Sequence, residues 1–244
     1  MQKVPSARVT AGRRRENIVS LCLILFRECD RVPAMKFLIT AGPTREPLDP
    51  VRYLTNRSSG RMGYALAGAA RHEGHEVLLV SGPTTLDVPA GVDFIPVETA
   101  RQMYEAVRDM VRGVDVAILC AAVADYTPVS YSTQKIKKSA DRLILELERT
   151  PDILGSMRSV FGYTGTLVGF AAETSDVEAY AREKLLRKQC DMVVANDVSR
   201  HDIGFDAREN EVSLVFADHA EHLERDTKEQ IAMRIIERLA EIRS

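Results

Sequence analysis

From Met35 onward, short apolar runs alternate with helical patterns. The runs are Phe37–Ile39, Val77–Val80, Val114–Cys120, Leu167–Phe170 and Met192–Ala195. Short strands that are apolar on both faces, separated by helices, read as βαβ units and a mostly parallel sheet. The first predicted helix runs from Arg61 to about His72. It carries Gly63, Ala67 and Ala70 on one face, where small residues let a helix approach a sheet, and Ser58 or Ser59 as its cap. The second begins at the capping box Thr99-x-x-Gln102, with Met103, Ala106, Val107 and Met110 as its buried stripe. The third opens at Thr150-Pro151-Asp152: a cap, a proline at the first helical position and an acid in the first turn. The fourth begins Ser175-x-x-Glu178. The last begins Asp226-x-x-Glu229 and buries Ile231, Ile235, Leu239 and Ile242. Glu211–Phe216 alternates through Val212, Leu214 and Phe216, which predicts a half-exposed strand at a sheet edge. The expected class is α/β, a mostly parallel sheet flanked by helices.

Two stretches break this rhythm. Between Tyr126 and Thr150, Gln134-Lys135-Ile136-Lys137-Lys138 leads through Ser139–Asp141 into Leu143-Ile144-Leu145-Glu146-Leu147. The alternation there predicts a two-stranded flap. An isolated hairpin is marginal in water, so its apolar face needs cover, for which a second subunit is the natural candidate. The other stretch is Gly42 to Gly63, GPTREPLDPVRYLTNRSSGRMG, which shows neither a helical nor a strand period. An ordered loop of that length in a compact domain is usually functional. Arg45, Arg52, Arg57 and Arg61 outnumber Glu46 and Asp49, and Asn56, Ser58, Ser59 and Gly60 lie just before a helix whose free N–H groups favour anions. These features predict a binding loop for a phosphorylated ligand; the alternative is a solvated connection. The loop is neither a GxxxxGK[ST] phosphate loop nor a GxGxxG dinucleotide fingerprint.

Composition narrows the classes. The chain has 244 residues, enough for one large α/β domain or two small ones, with 45% hydrophobic and 28% charged residues. A net charge of −2 gives no global basic field, so no nucleic-acid partner is expected. Cys22, Cys29, Cys120 and Cys190 form no C-x-x-C pair, which argues against zinc and a disulfide framework and fits a reducing cytosol. Residues 1–34 read differently from the rest. Arg13-Arg14-Arg15 precede the apolar run Ile18–Phe26, whose nine residues are too few to span a membrane. A signal peptide would need a small-x-small cleavage site, which Cys29-Asp30-Arg31 does not supply. The expected organisation is a tail or start-site artefact over 1–34 and a domain over 35–244, cytoplasmic and without a membrane partner.

Three further constellations carry chemistry. Leu119-Cys120-Ala121-Ala122-Val123-Ala124-Asp125-Tyr126 ends a strand in small residues, where backbone can approach a ligand and Asp125 can hold a ribose, a base amino group or a metal ion; a tight turn capped by Asp125 is the alternative. Cys120, inside an apolar run, reads as a buried hydrophobe rather than a nucleophile. The lysine run Lys135-Ile136-Lys137-Lys138 follows that turn, either reaching a phosphate or simply solvated. Lys184 and Lys188 stand four apart on the fourth helix with no acid four residues before them, so they present two unpaired cations to an anion or to solvent. Tyr180-x-x-x-Lys184 also matches the pair of short-chain dehydrogenases, an NAD(P) oxidoreductase alternative that lacks its glycine fingerprint here.

The blocks GPTREPLDPVRYLTNRSSGRMG, CAAVADY, QKIKK, PDIL, VGFAAET and ANDVS, in this order, closely resemble bacterial phosphopantothenoylcysteine synthetase over about residues 35–240. That enzyme is often the C-terminal half of a bifunctional coenzyme A biosynthesis protein, and the resemblance implies a stand-alone synthetase with the decarboxylase on a separate chain. It also implies a Rossmann-like fold and a flap that reaches across a homodimer. The reaction implied joins 4′-phosphopantothenate to L-cysteine, with CTP as co-substrate, Mg²⁺ bridging its phosphates through protein ligands that the resemblance leaves open, and an acyl-cytidylate intermediate. Lys135 would neutralise charge on the α-phosphate, and Asn56 would hold the acyl-cytidylate. Leu119, Cys120, Ala121, Asp125, Pro151, Asp152, Ile153, Leu154, Phe170, Lys184 and Lys188 would bind CTP. Arg52, Ser58, Ser59 and Gly60 would belong with Asn56 to the substrate loop. The sequence departs from the family's usual residues at Leu119, Arg57 and Arg61.

Overall fold

Strand β1 (Lys36–Ala41) is an interior strand of an eight-stranded sheet. It pairs in parallel with β4 (Glu76–Ser81) on one side and β6 (Val116–Leu119) on the other. The computed structural model describes residues 33–137, 142–173, 175–197 and 207–242, and all of these but Pro33 belong to the compact unit Ala34–Arg243. The expected tail, apart from its last two residues, and Lys138–Asp141 of the flap lie outside the described residues, as do Thr174, Val198 and Ser199 of the quoted blocks. Beyond β4 lies β5 (Asp93–Pro96). Beyond β6 come β9 (Thr166–Glu173), β10 (Met192–Asp197), β11 (Glu209–Val215) and β12 (Ala220–Thr227). The strands from β5 to β10 run parallel; β11 and β12 are antiparallel additions. The edge on this side is therefore β12, not the alternating Glu211–Phe216 stretch, whose strand β11 is paired with β10 and β12.

Alternation along the central strands builds a core on each face. Phe37, Ile39, Val116 and Ile118 pack under α1 (Arg61–His72) and α5 (Lys228–Ile242). Leu38, Ala117 and Leu119 pack on the other face with α2 (Ala100–Met110), α3 (Ile153–Ser159) and α4 (Val177–Lys188). Each fully buried Leu, Ile or Phe contributes about 1.5–3 kcal/mol against exposure.

The helix ends differ in detail from expectation. Helix α1 is capped by Gly60 in the left-handed conformation (φ 77°) with no side-chain cap bond; Ser58 Oγ accepts from Gly60 N instead. Gly63 brings the helix onto β1 so closely that a Cβ there would lie 2.5 Å from Ala41 Cβ. The capping box of α2 is present, but Met110 is exposed and Ala100 joins Met103 and Val107 in the stripe. Helix α3 starts after Thr150-Pro151, capped by Asp152, because the Thr150 hydroxyl donates to Ala124 O instead. Helix α4 follows Asp176 (φ 44°), with no side-chain cap from Ser175. In α5 the first turn is held by Thr227 Oγ1 accepting from Gln230 N, and Ala232 and Ile236 rather than Ile242 complete the buried stripe.

The Gly42–Gly63 loop is not structureless. Strands β2 (Arg45–Pro47) and β3 (Tyr53–Thr55) form an antiparallel hairpin, with the Arg45 guanidinium 4.6 Å over the Tyr53 ring. The flap is paired where β7 (Tyr126–Pro128) meets β8 (Leu147–Arg149) in antiparallel, so its second strand begins at Leu147, the last residue of the alternating run Leu143–Leu147. Ile144 is 91% exposed, and Leu143, Leu147, Val129 and Tyr131 also face solvent.

Candidate active site

The parallel strands, numbered in chain order, read 3-2-1-4-5-6 across the sheet, so the order reverses between β1 and β6. Ligands of open α/β sheets bind outside the carboxyl ends of the strands at that reversal. Here the two chains leaving β1 and β6 stay side by side. Ala122 N donates to Gly42 O (2.9 Å), Ala121 N to Thr40 Oγ1 (3.2 Å) and Ala124 N to the buried Thr44 Oγ1 (2.9 Å). The small residues of Ala121–Ala124 make that approach feasible.

Two clefts open from this seam. The outer one, about 520 Å³, is lined by Leu119, Ala121, Asp125, Pro151, Asp152, Ile153, Leu154, Phe170, Lys184 and Lys188. Those are the expected nucleotide residues except Cys120 and Lys135. The inner one, about 460 Å³, takes Cys120 with Asn56, Ser58, Ser59 and Gly60. Ala121, Val123, Asp125, Phe170 and Lys184 belong to both, so the clefts share one wall.

The two lysines of α4 are not unpaired. Lys188 Nζ is ion-paired with the Asp152 carboxylate, and Lys184 Nζ donates to Phe170 O at 2.6 Å. Both remain at the cleft, so their charge is held in place rather than free. Burial lowers the Lys184 ammonium below its usual value, against the opposing charge of Glu173. Burial works to raise the Asp152 carboxyl, but bonds from Lys188 and Gly155 N outweigh it and the net shift is downward. Arg182, on the same helix as the two lysines, donates to Phe216 O and Ala217 O. Cys120 keeps some exposed surface, yet desolvation pushes its thiol up to about 12, as expected of a hydrophobe and not of a nucleophile.

Asn56 is anchored at the inner cleft: its Nδ2 donates to Ala122 O (3.2 Å) and Val123 O (3.1 Å). Arg52 lines neither cleft. Its guanidinium is held by Asp49 and by Ile136 O, so in this chain it braces the loop against the lysine segment. Lys135 is exposed and also lines neither cleft. Tyr180 is 47% exposed and away from both, and Lys184 is bonded to Phe170, not aimed at a tyrosine, so the dehydrogenase pair is not assembled. Among the described residues no group of three or more His, Cys, Asp or Glu is placed to hold a metal ion, and no helix is long and apolar enough to cross a membrane.

Sequence reasoning missed the deep floor of the inner cleft, Asn196, Asn210 and Lys228. One signal was available: Asn210 is a polar residue in the same phase as Val212 and Leu214 on an alternating strand.

The model of the DNA/pantothenate metabolism flavoprotein C-terminal domain matches residues 33–242. A coenzyme A biosynthesis bifunctional protein CoaBC of Vibrio parahaemolyticus is 44% identical over 238 residues, 96% of this chain and 59% of that protein, so the chain spans about three-fifths of that relative's length. Among solved structures, the C-terminal domain of a CoaBC protein superposes with a TM-score of 0.74 at 42% identity, covering 87% of this chain and 97% of that one. A DNA/pantothenate metabolism flavoprotein from Streptococcus pneumoniae superposes at 0.75 with 26% identity, covering 86% of this chain and 100% of that one. The chain thus belongs to the family of DNA/pantothenate metabolism flavoprotein C-terminal domains, and its fold is that of the CoaBC C-terminal domain.

Proposed function

We propose that this chain is a phosphopantothenate–cysteine ligase that uses CTP and works as a homodimer. The observation that carries the reading is the shared wall of the two clefts. A nucleotide lying along Pro151–Leu154 and Lys188 in the outer cleft would bring its α-phosphate to Asp125, Phe170 and Lys184, where an acyl substrate in the inner cleft would meet it. The names of the relatives, coenzyme A biosynthesis proteins, support the substrate class.

In the first step a carboxylate oxygen of 4′-phosphopantothenate attacks the α-phosphorus of CTP. The bond from that phosphorus to the bridging oxygen breaks, and pyrophosphate leaves with the electron pair. In the second step the amine nitrogen of L-cysteine attacks the acyl carbon, the acyl–oxygen bond breaks, CMP leaves with that pair and the amine proton is lost. Two anions must meet, so the chain's contribution is positioning and fixed positive charge. Lys188 and Lys184 are held in place for this. Lys135 would serve a neighbouring subunit's site, which its exposed place on an uncovered apolar flap favours. Mg²⁺ would arrive with the triphosphate and neutralise its charge. Such an ion commonly uses one or two carboxylates beside substrate phosphates, and Asp125 on the shared wall fits that need.

The test is pyrophosphate release from purified protein with Mg²⁺, CTP and 4′-phosphopantothenate, with and without L-cysteine, beside a Lys135→Gln variant. Cysteine-dependent turnover with CMP formed, lost in the variant, is expected. Folded protein that binds phosphopantothenate but releases no pyrophosphate under any condition would overturn the ligase reading. Replacing CTP by ATP in the same assay decides the base.

A further inference from the structure

The outer cleft is lined by four cations, Arg149, Lys184, Arg187 and Lys188, and two carboxylates, Asp125 and Asp152. Three of the cations are engaged within the protein. Lys188 is ion-paired with Asp152, Lys184 donates to Phe170 O at 2.6 Å and feels the charge of Glu173, and Arg187 lies 3.5 Å from the Glu183 carboxylate. Arg149 differs: its guanidinium has no hydrogen-bond or ion-pair partner among the described residues. Its backbone is fixed nonetheless. Arg149 is the last residue of β8 and stands opposite Tyr126 of β7. The next residue, Thr150, donates through its N to Asp125 O (3.0 Å) and through its hydroxyl to Ala124 O (2.6 Å). An exposed cation is thus rooted beside Asp125, on the wall that the two clefts share.

That place selects a role. Phosphoryl transfer runs with the attacking and leaving oxygens roughly in line, so an attack from the inner cleft through the shared wall sends the leaving group into the outer one. When the bond from the α-phosphorus to the bridging oxygen breaks, the electron pair stays on pyrophosphate, and no proton arrives with it to offset the added charge. Lys188 is matched by Asp152 and Arg187 by Glu183, and Lys184 and Asp125 carry opposite single charges, which leaves Arg149 as the surplus cation of the outer cleft. A guanidinium can also place two N–H groups on the oxygens of one phosphate, in a fixed fork that an ammonium lacks. We propose that Arg149 binds the pyrophosphate end of the nucleotide and takes up the charge that develops there as pyrophosphate leaves. The proposal rests on the ligase reading above, within which it adds a catalytic residue at the leaving group.

The experiment compares wild type with Arg149→Gln and Arg149→Lys. The residue is exposed, so neither change removes a buried contact, and circular dichroism is expected to show an intact fold. The kcat/KM for CTP is expected to fall about tenfold or more in Arg149→Gln, with inhibition by inorganic pyrophosphate weakened by a similar factor and inhibition by CMP unchanged. Arg149→Lys should recover part of the loss, since it keeps the charge and gives up the fork. A distorted cleft would instead weaken CMP and pyrophosphate alike. That result, or an unchanged kcat/KM, would overturn the proposal. Wild type without turnover would sink the ligase reading alone; calorimetric titration of inorganic pyrophosphate with Mg²⁺ into wild type and Arg149→Gln would then decide the site, with equal or absent binding counting against it.

Discussion

Asp49 and Arg52 form a clamp between two functional segments. The buried Asp49 carboxylate accepts from Arg52 Nη2 (2.6 Å) and Nε (3.0 Å) and from Ile136 N (3.1 Å), while Arg52 Nη2 also donates to Ile136 O (2.7 Å). The hairpin loop and the start of the lysine segment are thereby one unit, although more than eighty residues separate Asp49 from Ile136.

This clamp has a pH signature. The Arg52 hydrogen bonds hold the Asp49 carboxyl well below the usual carboxylate range, against burial, which works to raise it. A depressed folded pKa means that the charged form stabilises the fold above the unfolded value, near 3.9, and that this is lost as pH falls below it. Asp49→Asn is expected to lower the melting temperature at neutral pH, with the gap to wild type narrowing below about pH 4. Thermal melts across that range check it; a gap independent of pH would show that the carboxylate's charge is not what holds the clamp.

Two glycines of α1 should respond in opposite directions. A Cβ at Gly63 would lie 2.5 Å from Ala41 Cβ, whereas at Gly68 the nearest atom is 4.0 Å away. Gly63→Ala must push the helix off β1 and is expected to cost about 1–3 kcal/mol. Gly68→Ala only removes backbone freedom and should stabilise by about 0.5–1 kcal/mol. Urea midpoints at equal slope measure both.

Much of this architecture was legible because period and burial agree. The central strands alternate between two apolar cores, so their runs stand out. The missed strands do not: Asp93–Pro96 and Ala220–Thr227 lie at the sheet's margins, exposed and mixed in polarity. Helix starts erred where the expected cap had another partner, as with Thr150 and Ala124 O. In the site, residues next to one another in sequence were found together. Arg52 looked like a phosphate ligand because its partner Ile136 is distant in the chain, and the pairing of Lys188 with Asp152 across two helices has no local spacing to reveal it.

The Lys188–Asp152 pair separates binding from stability. Asp152 is 57% exposed, and such pairs contribute about 0–1 kcal/mol. Lys188→Gln should therefore change the melting temperature little, yet raise the KM for CTP about tenfold or more, since it removes a fixed cation from the outer cleft. Asp152→Ala also removes the α3 cap, worth about 1 kcal/mol, and should lower stability more than Lys188→Gln does. Denaturation curves with CTP kinetics distinguish the two; equal effects of both changes on stability and KM would mean that the lysine has no role beyond the ion pair.

Lys135 and Asn56 test whether the site is completed between subunits. Asn56 is fixed at the inner cleft of its own chain, whereas Lys135 is exposed and lines neither cleft. If Lys135 serves the partner's cleft, inactive Lys135→Gln and inactive Asn56→Asp proteins should complement one another. In a mixed dimer one site would pair an intact Asn56 with the other chain's intact Lys135, and the second site would carry both defects. Random exchange of an equal mixture makes half of the dimers mixed, so about a quarter of wild-type activity is expected after unfolding and refolding the two together. If both residues act within one chain, every site in the mixture keeps one defect and no activity returns. Refolded wild type and each variant alone supply the controls, and sedimentation of the refolded mixture establishes that dimers have formed.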